Sequence, residues 1–298
     1  MKSVCLAILN YNGARHLAEL LPTALDAARG RPVVVLDNCS TEDDIRWIRK
    51  HFPAVETAVA PANDFLFSYN WLLSCRNEDV VVLLNNDVRL ERDFLPPLLR
   101  HLEARDVFAA CSTSRDWDDA EFTCGPARLR SHHGLYYWSY DTDRQELEHT
   151  LFASAGFAAV DRRKFVELGG FNPLFRPAYC EDFDLCFRAW RRGWRCVFEP
   201  ASVVYHRENG SWGNARSTRL IERSRMLFQW STLPATGAWL ERTAMLVRTA
   251  LRRPEWGLNL VRTWREWRRL RSGYAWMKTP RTELNDILRR IEEPVPLP

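Results

Sequence analysis

The chain has 298 residues, which fits one large domain or one domain with an appendage. With 46% hydrophobic residues it is able to bury a sizeable core, and a net charge of +4 excludes little. The eight cysteines include no Cys-x-x-Cys pair, which excludes a zinc-type spacing and a small disulfide scaffold. We expect them to be reduced, mostly buried thiols.

Charge is distributed unevenly along the chain. Residues 215–298 carry 17 Arg and Lys against 8 Asp and Glu, a net charge of +9, which leaves −5 for residues 1–214. This predicts a catalytic body over 1–214 and a basic appendage over 215–298 that binds a surface. No signal peptide and no long apolar window is visible, so we expect a cytoplasmic protein, either free or resting on the inner face of the cell membrane.

The first third of the chain alternates short apolar runs with helical patterns. The predicted elements, beginning with a strand and alternating strictly with helices, are 4–9, 14–28, 33–36, 41–51, 55–60, 65–75, 80–84, 94–103 and 107–111. Ser40 or Thr41 is expected to cap the second helix. Repeated β-α units with short links predict an α/β fold with a parallel, doubly wound sheet and helices on both faces.

The run from Val80 to Asp87 is the most informative stretch. Five apolar residues end on Asn85, Asn86 and Asp87, as expected for a buried parallel strand whose carboxyl end faces a ligand. One carboxylate beside amide oxygens suits Mg²⁺ or Mn²⁺ shared with a diphosphate. An ordinary Asn-Asp turn is the competing interpretation.

The later part of the chain is less regular. No structure is predicted for 112–150; strands are expected at 152–160, 197–198 and 203–205, and a helix at 181–192. From Ser217 onward the pattern is helical and rich in Arg and Trp. We favour Trp packing these helices onto the body over helices lying on an anionic membrane. Nucleic-acid binding is disfavoured, because no recognisable module accompanies the charge.

Six motifs in order resemble family 2 glycosyltransferases of the GT-A fold, notably the bacterial rhamnosyltransferase-like branch. The matching segments are 7–13, 35–40, 63–70, 84–88, 169–172 with 181–188, and 205–206. The resemblance covers about residues 3–230. It implies a Rossmann-like, mostly parallel sheet with a C-terminal helical appendage.

The resemblance also implies roles for particular residues. Asp37 resembles the base-reading aspartate, and Asn63 lies in a segment that lines the donor pocket in the family. Asn85, Asn86 and Asp87 resemble the Asp-x-Asp triplet that binds metal and diphosphate; its first acid is an amide here, so Asp87 supplies the charge. Asn10 and Asn12, after the first strand, join the expected nucleotide site.

For the reaction, Asp182 resembles the catalytic base, with Glu181 beside it, and His206 resembles a late metal ligand. We expect the dipole of the helix that starts there to keep Asp182 ionised. A general base attacking opposite the leaving group predicts inversion. The competing structural interpretations are that the acids at Asp182 only add negative charge to a helix N-terminus, and that His206 is a half-buried histidine whose hydrogen bonds are made within the protein.

The sequence thus predicts an inverting glycosyltransferase that uses Mn²⁺ or Mg²⁺ and moves a sugar from a UDP- or dTDP-sugar. The expected acceptor is a hydroxyl of a polysaccharide or glycolipid, and no Gln-x-x-Arg-Trp motif of processive synthases occurs. A non-catalytic nucleotide-sugar-binding protein of a polysaccharide assembly system is the main alternative, mildly favoured by Asn85. A sugar nucleotidyltransferase is a weaker one, since residues 10–13 are not glycine-rich.

Overall fold

Eleven strands are found among the residues that the computed structural model describes, which are 2–119, 121–132, 135–207, 214–231, 238–252, 254–270 and 284–296. The strands are β1 (Val4–Asn10), β2 (Val33–Asp37), β3 (Glu56–Val59), β4 (Val80–Asn85), β5 (Val88–Leu90), β6 (Val107–Asp116), β7 (Ala127–His132), β8 (Leu135–Tyr140), β9 (Glu148–His149), β10 (Phe157–Asp161) and β11 (Arg195–His206). Nine form one sheet in the order β3-β2-β1-β4-β10-β6-β11-β5, with β9 on β11. The hairpin β7-β8 stands apart.

Most strands of the large sheet share one direction, as predicted. β1, β2, β3 and β4 pair in parallel, and β6 and β11 run the same way. β10 is antiparallel to both β4 and β6, while β5 and β9 are antiparallel to β11. The carboxyl ends of β1, β2 and β4 therefore meet at one edge, where ligands bind in such sheets.

The helices cover both faces of this sheet. They are α1 (Ala14–Ala28), α2 (Asp44–His51), α3 (Ser68–Cys75), α4 (Leu95–Leu102), α5 (Arg162–Glu167), α6 (Glu181–Arg191), α7 (Asn214–Ser231), α8 (Ala238–Arg252), α9 (Pro254–Leu270) and α10 (Leu284–Glu292). Alternate residues of each central strand belong to two separate cores: Leu6 and Ile8 pack with α1 and α4, whereas Cys5 and Ala7 face α3 and α6. Burial on both faces explains why β1 and β4 read as continuous apolar runs.

Several predicted boundaries differ from the structure. Asp43, not Ser40 or Thr41, caps α2, accepting a hydrogen bond from the Arg46 amide (3.3 Å). The strand predicted at 152–160 begins only at Phe157, because a turn precedes it, in which the Phe157 amide donates to the Ser154 carbonyl (3.2 Å). The two short strands predicted near 200 form one strand, β11, with a register shift between Glu199 and Val203.

The C-terminal helices pack on the body through aromatic side chains. Phe228 of α7 stacks on Phe183 of α6, with ring centroids 4.2 Å apart. Trp230, Trp264 and Trp267 form a second cluster with centroid separations of 5.0–5.9 Å. The packing interpretation is confirmed for these tryptophans, while the side chains of Trp239 and Trp276 lie outside the described residues. Searching the described helices for a span that is long and apolar enough to cross a membrane finds none.

Candidate active site

The polar ends of β1, β2 and β4 come together at one edge of the sheet. Asn10 lies opposite Asp37 in the β1-β2 register, and Leu9 lies opposite Asn85 in the β1-β4 register. The amide of Asn38 donates to the carbonyl of Asn10 (2.7 Å). The predicted convergence of these three strand ends is therefore present in the fold.

Asp87 and His206 form the polar pair at the other side of this edge. His206 ends β11 and Asp87 precedes β5, and the antiparallel β5-β11 pairing sets Val88 opposite His206. His206 Nε2 lies 3.3 Å from Asp87 Oδ1. That Oδ1 atom is buried and has no hydrogen-bond partner among the described residues. The backbone carbonyl of Asp87 accepts from the amide of Arg207 (3.1 Å), which fixes the two segments together.

Asp87 and His206 carry ligand atoms that suit a divalent cation. Carboxylate oxygen and imidazole nitrogen both ligate Mn²⁺. A buried carboxylate oxygen that receives no hydrogen bond is suited to coordinate such a cation. Within the described part of the chain, no group of three or more His, Cys, Asp or Glu side chains could hold a metal. Asp87 and His206 would supply only two ligands to such a cation, and its other ligands would have to come from a diphosphate and water, as is usual for nucleotide-bound metals.

Asn10 and Asn86 are linked in a buried hydrogen-bond chain. Asn86 Nδ2 donates to Asn10 Oδ1 (2.9 Å), and Asn10 Nδ2 donates to Asp44 Oδ2 (2.7 Å). The amide of Gly13 also donates to that Asp44 oxygen (2.8 Å). Both side-chain groups of the fully buried Asn10 are therefore used within the protein, and they hold Asn86 in place. Asp44, which the sequence analysis missed, anchors the chain; its place in the first turn of α2 after an Asp-rich cap was the only signal.

Asp37 and Asn12 hold the turn that follows β2. Both carboxylate oxygens of Asp37 accept from Ser40, one from its hydroxyl and the other from its amide (3.1 Å). Asn12 has a positive φ of 47° and accepts from the Thr41 amide (2.8 Å). Each Asp37 oxygen keeps a second lone pair, so the carboxylate is able to accept a further donor.

Asn63 is exposed on the loop between β3 and α3. Asn38 pins this loop: its Oδ1 accepts from the Ser68 hydroxyl (2.6 Å) and from the Asp64 amide (3.2 Å). Asn38 is 2% exposed, so its side chain is used within the protein. The loop is thereby held beside the strand ends with Asn63 facing solvent.

Asp182 and Glu181 begin α6 on the opposite face of the sheet from α1. The Asp182 carboxylate accepts from the amide of Phe183 (2.8 Å) and from the amide of Ala155. Glu181 is buried, and its Oε2 atom has no hydrogen-bond partner among the described residues. Burial raises the pKa of Asp182 to about 6, and burial together with the Asp182 charge raises the pKa of Glu181 to about 8.

Burial, and not the dipole of α6, dominates the pKa of this pair. The helix dipole was expected to keep Asp182 ionised; burial instead raises the pKa of both carboxyls, although a pKa of about 6 still leaves Asp182 largely ionised at neutral pH. The pair therefore retains a proton more readily than two exposed acids would. A carboxylate with such a pKa is a stronger base near neutral pH than an ordinary aspartate.

A short segment before β10 joins the two halves of the site. The amide of Ala155 reaches Asp182, and the carbonyl of the next residue, Gly156, accepts from the Asn85 amide (2.9 Å). A Cβ atom on Gly156 would lie 2.9 Å from Asn85 Nδ2, so a larger residue would have to displace the Asn85 side chain. Sequence analysis placed this segment inside a strand and missed its role.

Tyr69 is a second positioning residue that sequence analysis missed. Its buried hydroxyl lies 2.9 Å from the carbonyl oxygens of Ala7 and Leu84, and it accepts from the Leu84 amide at 3.3 Å. It therefore ties β1 to β4 just before the polar strand ends. Tyr69 lies among other aromatic residues in the sequence, so nothing distinguished it from an ordinary core residue.

Comparison with known proteins places this arrangement in context. Residues 5–169 match the family described as Glycosyl transferase family 2, a match that includes Asp37 and Asp87 and stops before Asp182 and His206. Polypeptide N-acetylgalactosaminyltransferase 3 of Drosophila melanogaster is 26% identical over 145 residues, which cover 43% of this chain and 22% of that protein. Polypeptide N-acetylgalactosaminyltransferase 10 of Mus musculus is 25% identical over 168 residues, 52% of this chain and 28% of that protein. The chain thus spans about a quarter of the length of these relatives.

Solved structures share the fold at low sequence identity. The mannosyltransferase PcManGT from Pyrobaculum calidifontis, in complex with GDP-Man and Mn²⁺, has a TM-score of 0.60 and 16% identity, over 92% of this chain and 80% of that one. GalNAc-T7 with UDP, GalNAc and Mn²⁺ has a TM-score of 0.55 and 16% identity, over 74% of this chain and 48% of that one. These similarities establish the predicted GT-A fold.

Proposed function

This chain belongs to glycosyl transferase family 2, and on that premise we propose that it transfers a sugar from a UDP- or dTDP-sugar to an acceptor hydroxyl with inversion. One observation carries the proposal. The base candidate, Asp182, is connected to the strand end Asn85 through Ala155 and Gly156, and Asp87, which pairs with His206, follows Asn85 by two residues. The two sides of a displacement reaction would thus meet over the end of β4.

The donor side is supported by the strand ends. Asp87 and His206 would hold Mn²⁺ or Mg²⁺, which when bound neutralises the leaving diphosphate as a Lewis acid. Asn86, held by Asn10, would present its amide group towards the same phosphates. Asp37 would accept the imide N–H of a uracil or thymine base through a free lone pair, with Asn12 and Asn63 bordering that pocket.

The acceptor side is supported by the carboxyl pair. At neutral pH an Asp182 with a pKa of about 6 is largely ionised and able to take the acceptor's proton. Glu181, with a pKa of about 8, would keep its own proton and so avoid two adjacent buried charges. Attack guided by Asp182 from the face opposite the leaving group predicts inversion at the anomeric carbon.

The acceptor class follows from the sequence resemblance. We propose a hydroxyl of a surface polysaccharide or glycolipid precursor, with one sugar added per encounter. Rhamnose is the donor sugar that the rhamnosyltransferase-like motifs favour. The PcManGT and GalNAc-T7 complexes, which contain GDP-Man and UDP with Mn²⁺ respectively, agree with nucleotide and metal use in this fold.

The first experiment is a thermal-shift panel of UDP, dTDP, GDP and CDP, each with and without Mn²⁺. A ligand that binds only the folded protein raises its melting temperature. We expect a Mn²⁺-dependent shift with UDP or dTDP, followed by NMR detection of the inverted anomer when that nucleotide's sugars are supplied with a glycan acceptor. A nucleotide shift without transfer to any acceptor would favour the non-catalytic nucleotide-sugar-binding alternative, and no shift at all would refute the donor site.

A further inference from the structure

The outer side of the α8–α9 hairpin exposes large aliphatic side chains. Leu251 is 80% exposed, Leu258 64%, Val261 49% and Val247 47%. In α8, Val247 and Leu251 are one helical turn apart, and in α9 Leu258 and Val261 are likewise neighbours on one face. On the opposite side, Leu246, Leu260 and Trp267 are buried against the body. Both helices therefore carry large apolar side chains on their solvent-facing side as well as on their buried side.

On the same outer side, the charged side chains that the structure describes as exposed are all positive. The exposed arginines of the two helices are Arg248, Arg252, Arg262, Arg265, Arg268 and Arg269. Among the α8 and α9 side chains that the structure describes, no exposed one is acidic. Glu266 turns towards α7 instead, where Arg223 Nε donates to its Oε2 atom (2.9 Å). We call the four exposed aliphatic residues and these six arginines the hairpin surface.

From this pattern we infer that the hairpin surface docks the protein on an anionic lipid membrane. Leucine and valine side chains would enter the boundary between headgroups and acyl chains, and the flanking guanidinium groups would pair with lipid phosphates. Arginine suits this role because its planar group binds phosphate bidentately. A nucleic acid or an acidic protein would match the arginines but gives no reason for exposing leucines beside them. Docking of this kind does not depend on the proposed catalysis, so it is measurable without substrates.

The test is co-sedimentation of the full chain with vesicles of phosphatidylcholine alone or of an equal mixture with phosphatidylglycerol. We expect tight binding only to the mixed vesicles, weakened by added salt. Replacing two arginines in the double variant Arg248→Gln/Arg252→Gln should weaken binding about 25-fold, at about fivefold for each charge near the surface. The double variant Leu251→Glu/Leu258→Glu should weaken it about tenfold or more, because it removes apolar contact and adds repulsion.

Two matched controls separate docking from general effects. Val59→Glu/Val166→Glu alters aliphatic residues that are 55% and 45% exposed elsewhere on the body. Arg46→Gln/Arg105→Gln removes two exposed charges outside the hairpin. Both should bind mixed vesicles like the parent chain, and all variants should keep its circular dichroism and melting temperature.

Three results would overturn the inference. Equal binding to neutral and mixed vesicles would remove the charge argument. Loss with the arginine variant but parent-like binding of the leucine variant would indicate a polyanion surface without lipid insertion, which RNA competition would reveal. The third result is a parent chain that binds no vesicles but forms a dimer, which the leucine variant dissociates. It would assign the surface to a second copy of the chain.

Discussion

His206 Nε2 lies 3.3 Å from Asp87 Oδ1, and two backbone pairings bring these distant residues together. β5 pairs with β11, and the Arg207 amide donates to the Asp87 carbonyl. The Phe157 ring, 6.1 Å from the His206 ring between centroids, supports the imidazole from β10. His206 is thus placed by β11, and Asp87 by the two-residue turn between β4 and β5, which favours precise placement of a bound group.

Asp87 and His206 should therefore act together on metal-linked nucleotide binding. We expect Asp87→Asn and His206→Ala each to weaken the Mn²⁺-dependent binding of UDP or dTDP by about 10- to 100-fold, the range typical of altered metal shells. The double variant should be little worse than either single variant, because both changes disable the same site. Isothermal titration with and without Mn²⁺ measures this. The control is His16→Ala, at a partly exposed histidine on α1.

An unchanged difference between the two titrations in Asp87→Asn would contradict the metal assignment. Additive losses in the double variant would instead show that Asp87 and His206 act at separate points.

Much of this edge was predictable because apolar runs that end in polar residues identify the carboxyl ends of parallel strands. The runs before Asn10, Asp37 and Asn85 were sufficient to predict that these residues converge. The β11 terminus at His206 was also identified, although β5, which aligns it with Asp87, was not. A three-residue strand gives too short a pattern to detect from the sequence.

The hydrogen-bond partners were not predictable. Nothing local in the sequence indicates that the Asn10 side chain is hydrogen-bonded to Asp44 and Asn86, because those contacts depend on how three separate segments pack. The raised pKa of Asp182 was not predicted from the sequence for the same reason. It comes from burial of the carboxyl where α6 packs near the segment before β10, whose Ala155 amide reaches it, whereas the sequence shows only a helix start.

Asp182→Asn should abolish transfer and keep the donor site. Removing a general base typically lowers kcat by about 10²- to 10⁴-fold. Nucleotide binding should be unchanged, because neither Asp87 nor His206 is bonded to the Asp182 carboxylate in the structure. Rapid-quench transfer assays alongside calorimetry separate the two effects. Near-normal turnover of the variant would refute the base assignment.

The pH dependence of the parent enzyme should report the same group. A base must be unprotonated, and the pKa of Asp182 is raised to about 6 by burial. We therefore expect kcat/KM to fall as the pH drops through about 6, and to level off above it. The profile should be measured at saturating Mn²⁺. An acidic limb near 4, the range of an exposed aspartate, would contradict burial as the controlling influence.

Glu181 should make stability depend on pH. Its pKa is raised from 4.5 to about 8 in the folded protein, so the protonated side chain stabilises the fold fully below about 4.5, and this contribution is lost as pH rises to about 8. Glu181→Gln cannot ionise. The variant should therefore melt above the parent at pH 8, with the difference vanishing near pH 5. Glu146→Gln, at an exposed glutamate, should show no such pH-dependent difference. A Glu181→Gln difference that is the same at both pH values would show that Glu181 ionises normally.

Gly13→Ala tests the hydrogen-bond chain behind the donor site. A Cβ atom at this position would lie 2.1 Å from Asn86 Nδ2 and 2.4 Å from Asn10 Oδ1, so the two amides must separate. We expect the variant to lose about 1–3 kcal/mol of stability in urea unfolding, as overpacked sites do. It should also lose nucleotide affinity, because Asn86 is displaced. Gly30→Ala is the matched control: its φ of +82° makes alanine cost about 1–2 kcal/mol, yet no atom lies within 4 Å of the new methyl group. Equal loss of affinity in both variants would mean that destabilisation alone weakens binding, whereas a loss confined to Gly13→Ala would assign Asn86 to the donor site.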